Sequence, residues 1–191
     1  MQPDQKSEIK SRKCRRSRPG FTLIEAALTM VIVGTGILAM VSAQQAYHIK
    51  NDWAQRTGTA QLLANELREM TLALPHHDPI TGASNLGPEA NEPTLADWDD
   101  LDDFAGTITG GYAEGVSFNP PINGLRQTIP DLDDWTQVVT IENVLPENIE
   151  TAAAQPLGST DMVRMTVTVM YHDPADAEPH PVTQMTWVVA K

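Results

Sequence analysis

The chain has a single cysteine, Cys14. It therefore has no second thiol for a disulfide, a redox pair or a cysteine-ligated zinc cluster, and it must hold together by packing, or by packing plus a cation. Aromatic residues are scarce, at 5%. Cations are scarce too once the N-terminus is passed: beyond Gly20 only Lys50, Arg56, Arg68, Arg126, Arg164 and Lys191 are basic, in a chain with 25 Asp and Glu. An acidic body repels phosphate backbones, which sets nucleic acid aside as a partner. No His-x-x-x-His pair, Gly-x-Ser-x-Gly elbow or phosphate-cradling glycine loop occurs. Residues of catalytic type gather only at His76-His77-Asp78 and at His172-Asp173 with His180. Adjacent histidines point in different directions, and His172 and His180 could meet only across a loop, as metal ligands, where histidines without such a duty are far commoner. Catalysis has no constellation to stand on, and the chain reads as a non-enzyme.

Charge is missing altogether from Ala26 to Ala43. With Phe21 to Ile24 added on the far side of Glu25, the apolar stretch reaches about the 20 residues that cross a bilayer core as a helix. Thr22, Thr29, Thr35 and Ser42 can return their hydroxyls to the helix's own carbonyls. Glu25 is the exception, because a carboxylate there costs about 2.5–3.5 kcal/mol on insertion scales unless it finds a partner. One reading is a signal anchor with Glu25 at the headgroup level. Before the run come Lys6, Lys10, Arg12, Lys13, Arg15, Arg16 and Arg18, a positive flank that favours a cytoplasmic N-terminus and an extracytoplasmic remainder. The same leader could be read as an anionic-lipid or nucleic-acid patch.

Gly20-Phe21-Thr22-Leu23-Ile24-Glu25, behind a Lys/Arg-rich leader and ahead of an uncharged helix, resembles the head of type IV prepilins and of the pseudopilins of type II secretion, with similarity in kind over residues 12–74. The resemblance implies cleavage between Gly20 and Phe21 by a prepilin peptidase and N-methylation of Phe21. It also implies that Glu25 pairs with the amino terminus of a neighbouring subunit during assembly. The implied partners are other pilin or pseudopilin subunits, an inner-membrane assembly platform and membrane lipid. Glycines and Leu38 in the membrane helix, followed by Ala60 to Leu67, look most like the minor pilin PilV or the minor pseudopilin I.

Four segments follow from this reading: a leader at 1–20, a membrane-spanning half-helix at 21–43, an amphipathic half-helix at 44–74 and an exported domain at 75–191. Trp53, Ala60, Leu63, Leu67, Met70 and Leu74 recur at helical spacing on one face, and Pro75 ends the helix. Residues 75–130 are loop-rich, with one or two short strands expected. Thr136 to Val144, Met162 to Tyr171 and Val182 to Val189 read as strands, the last two as a hairpin. The predicted class is α+β, a long N-terminal helix on a C-terminal antiparallel sheet, as in pilins.

Within the loop-rich stretch lie Asp97, Asp99, Asp100, Asp102 and Asp103. So dense a run of carboxylates suits calcium, although it lacks the glycine and terminal glutamate of an EF-hand loop. The alternative is a solvated acidic loop with Trp98, Leu101 and Phe104 turned inward. Three function classes result: a filament subunit, a pilus-tip or membrane-anchored binding module using the acidic loop or the His172 to Pro181 loop, and a membrane-anchored enzyme. No cofactor other than calcium is suggested.

Overall fold

The computed structural model describes residues 20–80, 82, 86–149 and 154–190. The leader and Cys14 lie outside the described residues, Gly20 excepted. The chain divides at Ile49 into an N-terminal unit and a C-terminal unit, Lys50–Lys191.

Helix α1 runs Leu23–Thr71. Up to Ile49 it is held by its own backbone bonds, and hydroxyls supplement them as expected. Thr29 donates to the Glu25 carbonyl at 2.7 Å, Thr35 to that of Val31 at 3.0 Å and Ser42 to that of Leu38 at 3.0 Å. Thr22 behaves differently, because it sits before the helix and caps it. The helix ends at Thr71, three residues short of the expected Leu74. Leu72 N–H still reaches the Arg68 carbonyl, and a turn then closes from Leu74 N–H to the Thr71 carbonyl before Pro75.

In the C-terminal unit, strands β1 (Ile108–Thr109), β2 (Tyr112–Ala113) and β3 (Val116–Phe118) are three short pieces where one or two were expected. They are followed by β4 (Trp135–Asn143), β5 (Met162–Tyr171) and β6 (His180–Ala190). β1 and β2 form a small ladder, and β3-β4-β5-β6 form a four-stranded sheet, antiparallel throughout. β5 and β6 pair as the expected hairpin, with a bulge at Val169/Met170 that accommodates the Pro181 end of β6.

The alternation in β5 directs Val163, Met165, Val167 and Val169 into the core, and β4 contributes Trp135, Gln137, Val139, Ile141 and Asn143 to the same side. Against this layer lie Ala60, Leu63, Ala64 and Leu67 of α1. Trp53 does not join them: it is 67% exposed, so the buried stripe begins later than the spacing suggested. Arg56, one turn on, accounts for that stretch of helix. It forms an ion pair with Asp173 at 2.9 Å and stacks over the Tyr171 ring at 4.2 Å.

One polar side chain sits in the centre of this core. Gln137 is fully buried, donates through Nε2 to the Leu63 carbonyl at 2.9 Å and accepts the Ile122 N–H at 2.8 Å. Helix, sheet and loop thus share one amide. Gly106 and Gly115 have positive φ, 62° and 81°, and lie in an isolated bridge. A Cβ on either would collide with backbone, that of Gly115 and Val139 respectively, so glycine is required at both.

Candidate functional site

Two groups of residues stand out chemically. The first is the head of α1. Gly20 and Phe21 precede the helix, and Phe21 is 80% exposed. Thr22 and Glu25 form a reciprocal pair. The Thr22 N–H donates to Glu25 Oε2 at 3.1 Å, its hydroxyl donates to the same oxygen at 3.2 Å, and the Glu25 N–H reaches back to Thr22 Oγ1 at 3.3 Å. This is a capping box, in which Thr-x-x-Glu satisfies two of the amides that a helix start leaves open. The carboxylate that offends a bilayer therefore has partners within its own first turn. Downstream, an 18-residue window of α1 reaches a mean hydropathy of 2.1 with none of it buried. It is a helix long and apolar enough to cross a membrane.

The second group is the acidic loop. Leu101 and Phe104 are fully buried and Trp98 is half-buried against the Phe104 ring, edge to face at 5.1 Å, so the three expected anchors do turn inward. The loop is not a solvated one, however. A short 3-10 turn over Asp102–Ala105 winds tightly enough that Asp100, Asp102 and Asp103 are buried with the anchors, while Asp97 and Asp99 stay exposed.

Each carboxylate has a separate environment. Asp97 accepts both the N–H and the hydroxyl of Thr94, the latter at 2.6 Å, and so organises its own turn. Asp102 accepts the Gly87 N–H at 2.8 Å and pairs with His77 Nδ1 at 2.6 Å. Asp100 Oδ1 accepts the N–H groups of Asp102 and Asp103, and Asp103 Oδ2 those of Asp99 and Asp100. Glu89 and Glu92 join from a preceding turn, in which the Glu92 N–H bonds the Glu89 carbonyl at 2.9 Å and the Glu89 N–H returns to Glu92 Oε2 at 3.2 Å. Both glutamates are buried.

Crowding these groups out of water moves their protonation. Burial pushes Glu92 up to about 7. Burial, with the charges of Asp102 and Asp103 added, pushes Asp100 up to about 8. Asp102 and Asp103 also rise, burial being the main cause, although the His77 hydrogen bond holds Asp102 back.

The structure thus joins Asp99, Asp100 and Asp103 of the expected run, parts Asp97 and Asp102 from them, and adds Glu89 and Glu92. Those two glutamates escaped sequence reasoning because they are spaced and flanked by prolines in Pro88-Glu89-Ala90-Asn91-Glu92-Pro93. The three-residue spacing inside a proline-bounded turn is the signal that could have found them. His172 and His180 both turn to Asp176, one to its carbonyl at 3.1 Å and one to its carboxylate at 3.3 Å. Among the described residues they enter no three-ligand group.

Fold and junction together define a class: a chain with one N-terminal apolar helix able to span a bilayer and an antiparallel sheet on which the later part of that helix packs, a layout compatible with pilin-like architecture. No protein family, curated protein or solved structure matches the chain.

Proposed function

We propose that the chain is a minor pilin or pseudopilin, a structural subunit of a type IV pilus or type II secretion pseudopilus and not an enzyme. The observation that carries this reading is the Gly20 to Glu25 junction: an exposed Gly20-Phe21 bond followed at once by a capped, uncharged helix of membrane-crossing length. In this reading a prepilin peptidase cuts at Gly20/Phe21, Phe21 is methylated and the leader stays cytoplasmic. The C-terminal domain then lies outside the inner membrane, and the helices bundle through Glu25 and the Phe21 amino group of a neighbour.

Intact mass and N-terminal sequencing of membrane-extracted protein, with and without a co-expressed prepilin peptidase, test the proposal. A mature chain starting at methylated Phe21, abolished by Gly20→Ala, is the expected result; a leader retained in the presence of active peptidase would sink it. The capping box sharpens the next step. Glutamine preserves a capping box while removing the charge, so Glu25→Gln separates helix capping from charge pairing. Assembly lost in Glu25→Gln, with the helix intact by circular dichroism, supports a charge-pairing role. Normal assembly would count against it.

A second reading, a pilus-tip or membrane-anchored binding module, is favoured by the cluster of buried carboxylates in the acidic loop. Calcium-dependent binding to a surface or ligand by a chain that is not processed at Gly20 would favour it.

A further inference from the structure

We propose that Glu89, Glu92, Asp99, Asp100 and Asp103 form a binding site for one calcium ion, assembled from two turns of the loop rather than from the aspartate run alone. Glu89, Glu92 and Asp103 bring carboxylate oxygens within 4.8 Å of one another, and so do Asp99, Asp100 and Asp103. Asp103 belongs to both sets, which makes the two triads one contiguous cluster.

Two side-chain oxygens point to a ligand independently of the clustering. Asp100 and Asp103 are each fully buried, and Asp100 Oδ2 and Asp103 Oδ1 accept no hydrogen bond among the described residues. The loop's amides are already committed to the other oxygen of each residue. A carboxylate oxygen of Glu92 lies within 4.8 Å of one from Glu89 and one from Asp103, and carboxyl groups so placed are held together only by a shared proton or by a cation. No Lys or Arg among the described residues forms an ion pair with Glu92, Asp100 or Asp103. Buried carboxylates are costly unless each holds a proton or shares a cation. A cation held between them offsets that cost.

The donor set selects the ion. All five groups are carboxylates, with Asp100 and Asp103 each offering the oxygen that the loop's amides leave open, and an all-oxygen set of this kind matches the six to eight oxygen ligands and flexible geometry of calcium. Magnesium demands near-ideal octahedral geometry and keeps its waters, and zinc favours the imidazole or thiolate ligands that neither triad contains. His77 is engaged with Asp102. Calcium here would staple the Glu89–Glu92 turn to the turn that carries Leu101 and Phe104. It requires nothing of the N-terminal helix.

The test uses the full chain in detergent, stripped with chelator and titrated with calcium chloride or magnesium chloride. Calorimetry is expected to show one saturable calcium per chain, and calcium at one hundred times its Kd is expected to raise Tm by roughly 5–10 °C. Glu92→Gln is expected to weaken calcium binding tenfold or more. Asp97→Asn, whose oxygen Thr94 holds, keeps it. Absence of both saturable binding and a Tm shift at millimolar calcium would overturn the site, and the wild-type titration decides this even where Asp103→Asn fails to fold. An equal response to magnesium would overturn the choice of ion. Loss of binding in Asp97→Asn as large as in Glu92→Gln would return the site to the exposed run.

Discussion

At the scale of single residues, the acidic loop makes a pH prediction whose sign is fixed by burial. In chelated protein, Glu92 and Asp100 keep their protons up to about 7 and about 8, whereas in the unfolded chain they release them near 4.5 and 3.8. The folded state therefore binds more protons between those limits. Raised carboxyl pKa values give stability that is fully present below the unfolded values and lost as pH rises through the folded ones. The urea midpoint in EDTA should be higher near pH 5 than near pH 8, and a midpoint that climbs over that range would contradict neutral carboxyls in the fold. Asp173, lowered first by the Ala175 amide and then by Arg56, acts in the opposite sense, but only in more acidic solution. Gln137 gives a second test. Gln137→Leu keeps the bulk but orphans the buried Ile122 N–H, and should cost about 1–3 kcal/mol in urea denaturation with an unchanged m-value. Neither feature was legible in the sequence. A glutamine at an inward register position and a run of aspartates both look like solvated surface until the partners that neutralise or satisfy them are known, and those partners come from distant segments.

The elements were far easier to read, because their signals are periodic and local. β5 alternates without a break, so its register, its faces and its hairpin with β6 all follow from its own side chains. The core stripe of α1 was legible at Ala60, Leu63 and Leu67 but not at Trp53, because a seven-residue step continues a helical face even where no sheet lies beneath it. β1, β2 and β3 were not countable, since pieces of two or three residues are too short to show a period and are defined by the ladders they join. Two substitutions follow at this scale. Met165→Ala empties a fully buried site on β5 and should destabilise by about 2–5 kcal/mol, while Thr166→Ala, which faces the other side and loses only the cross-strand bond to the Thr186 hydroxyl, should cost no more than about 1 kcal/mol. In α1, Gly58 is exposed and an added Cβ would meet nothing within 4 Å. Gly58→Ala should therefore stabilise the C-terminal unit by about 0.5–1 kcal/mol, read as a raised urea midpoint. A lowered midpoint would mean that this turn of helix is held in a conformation alanine cannot adopt.

At the scale of the whole molecule, the two units differ in how their apolar surface is covered. From Lys50 onward, a core of helix and sheet residues closes on itself, with Phe104, Met165 and Val167 fully buried. From Leu23 to Val41, the large apolar side chains stay exposed: Leu23 at 90%, Ile24 at 77%, Met30 at 77% and Leu38 at 69%. So much contiguous apolar surface is not left in water. Lipid is one medium that can cover it, since the helix is long and apolar enough to cross a membrane. The full chain is therefore expected to sediment with membranes and to need detergent. A chain beginning at Lys50 is expected to remain in the aqueous phase, helped by the excess of Asp and Glu, and to melt cooperatively within a few degrees of the full-length protein. Differential scanning calorimetry of the two forms, each at the same calcium concentration, compares them directly. If the shortened chain melted broadly or aggregated on expression, the core from Lys50 onward would depend on the preceding helix for its fold. A sharp and nearly unshifted transition would instead show that the core from Lys50 onward folds without the apolar half of the helix.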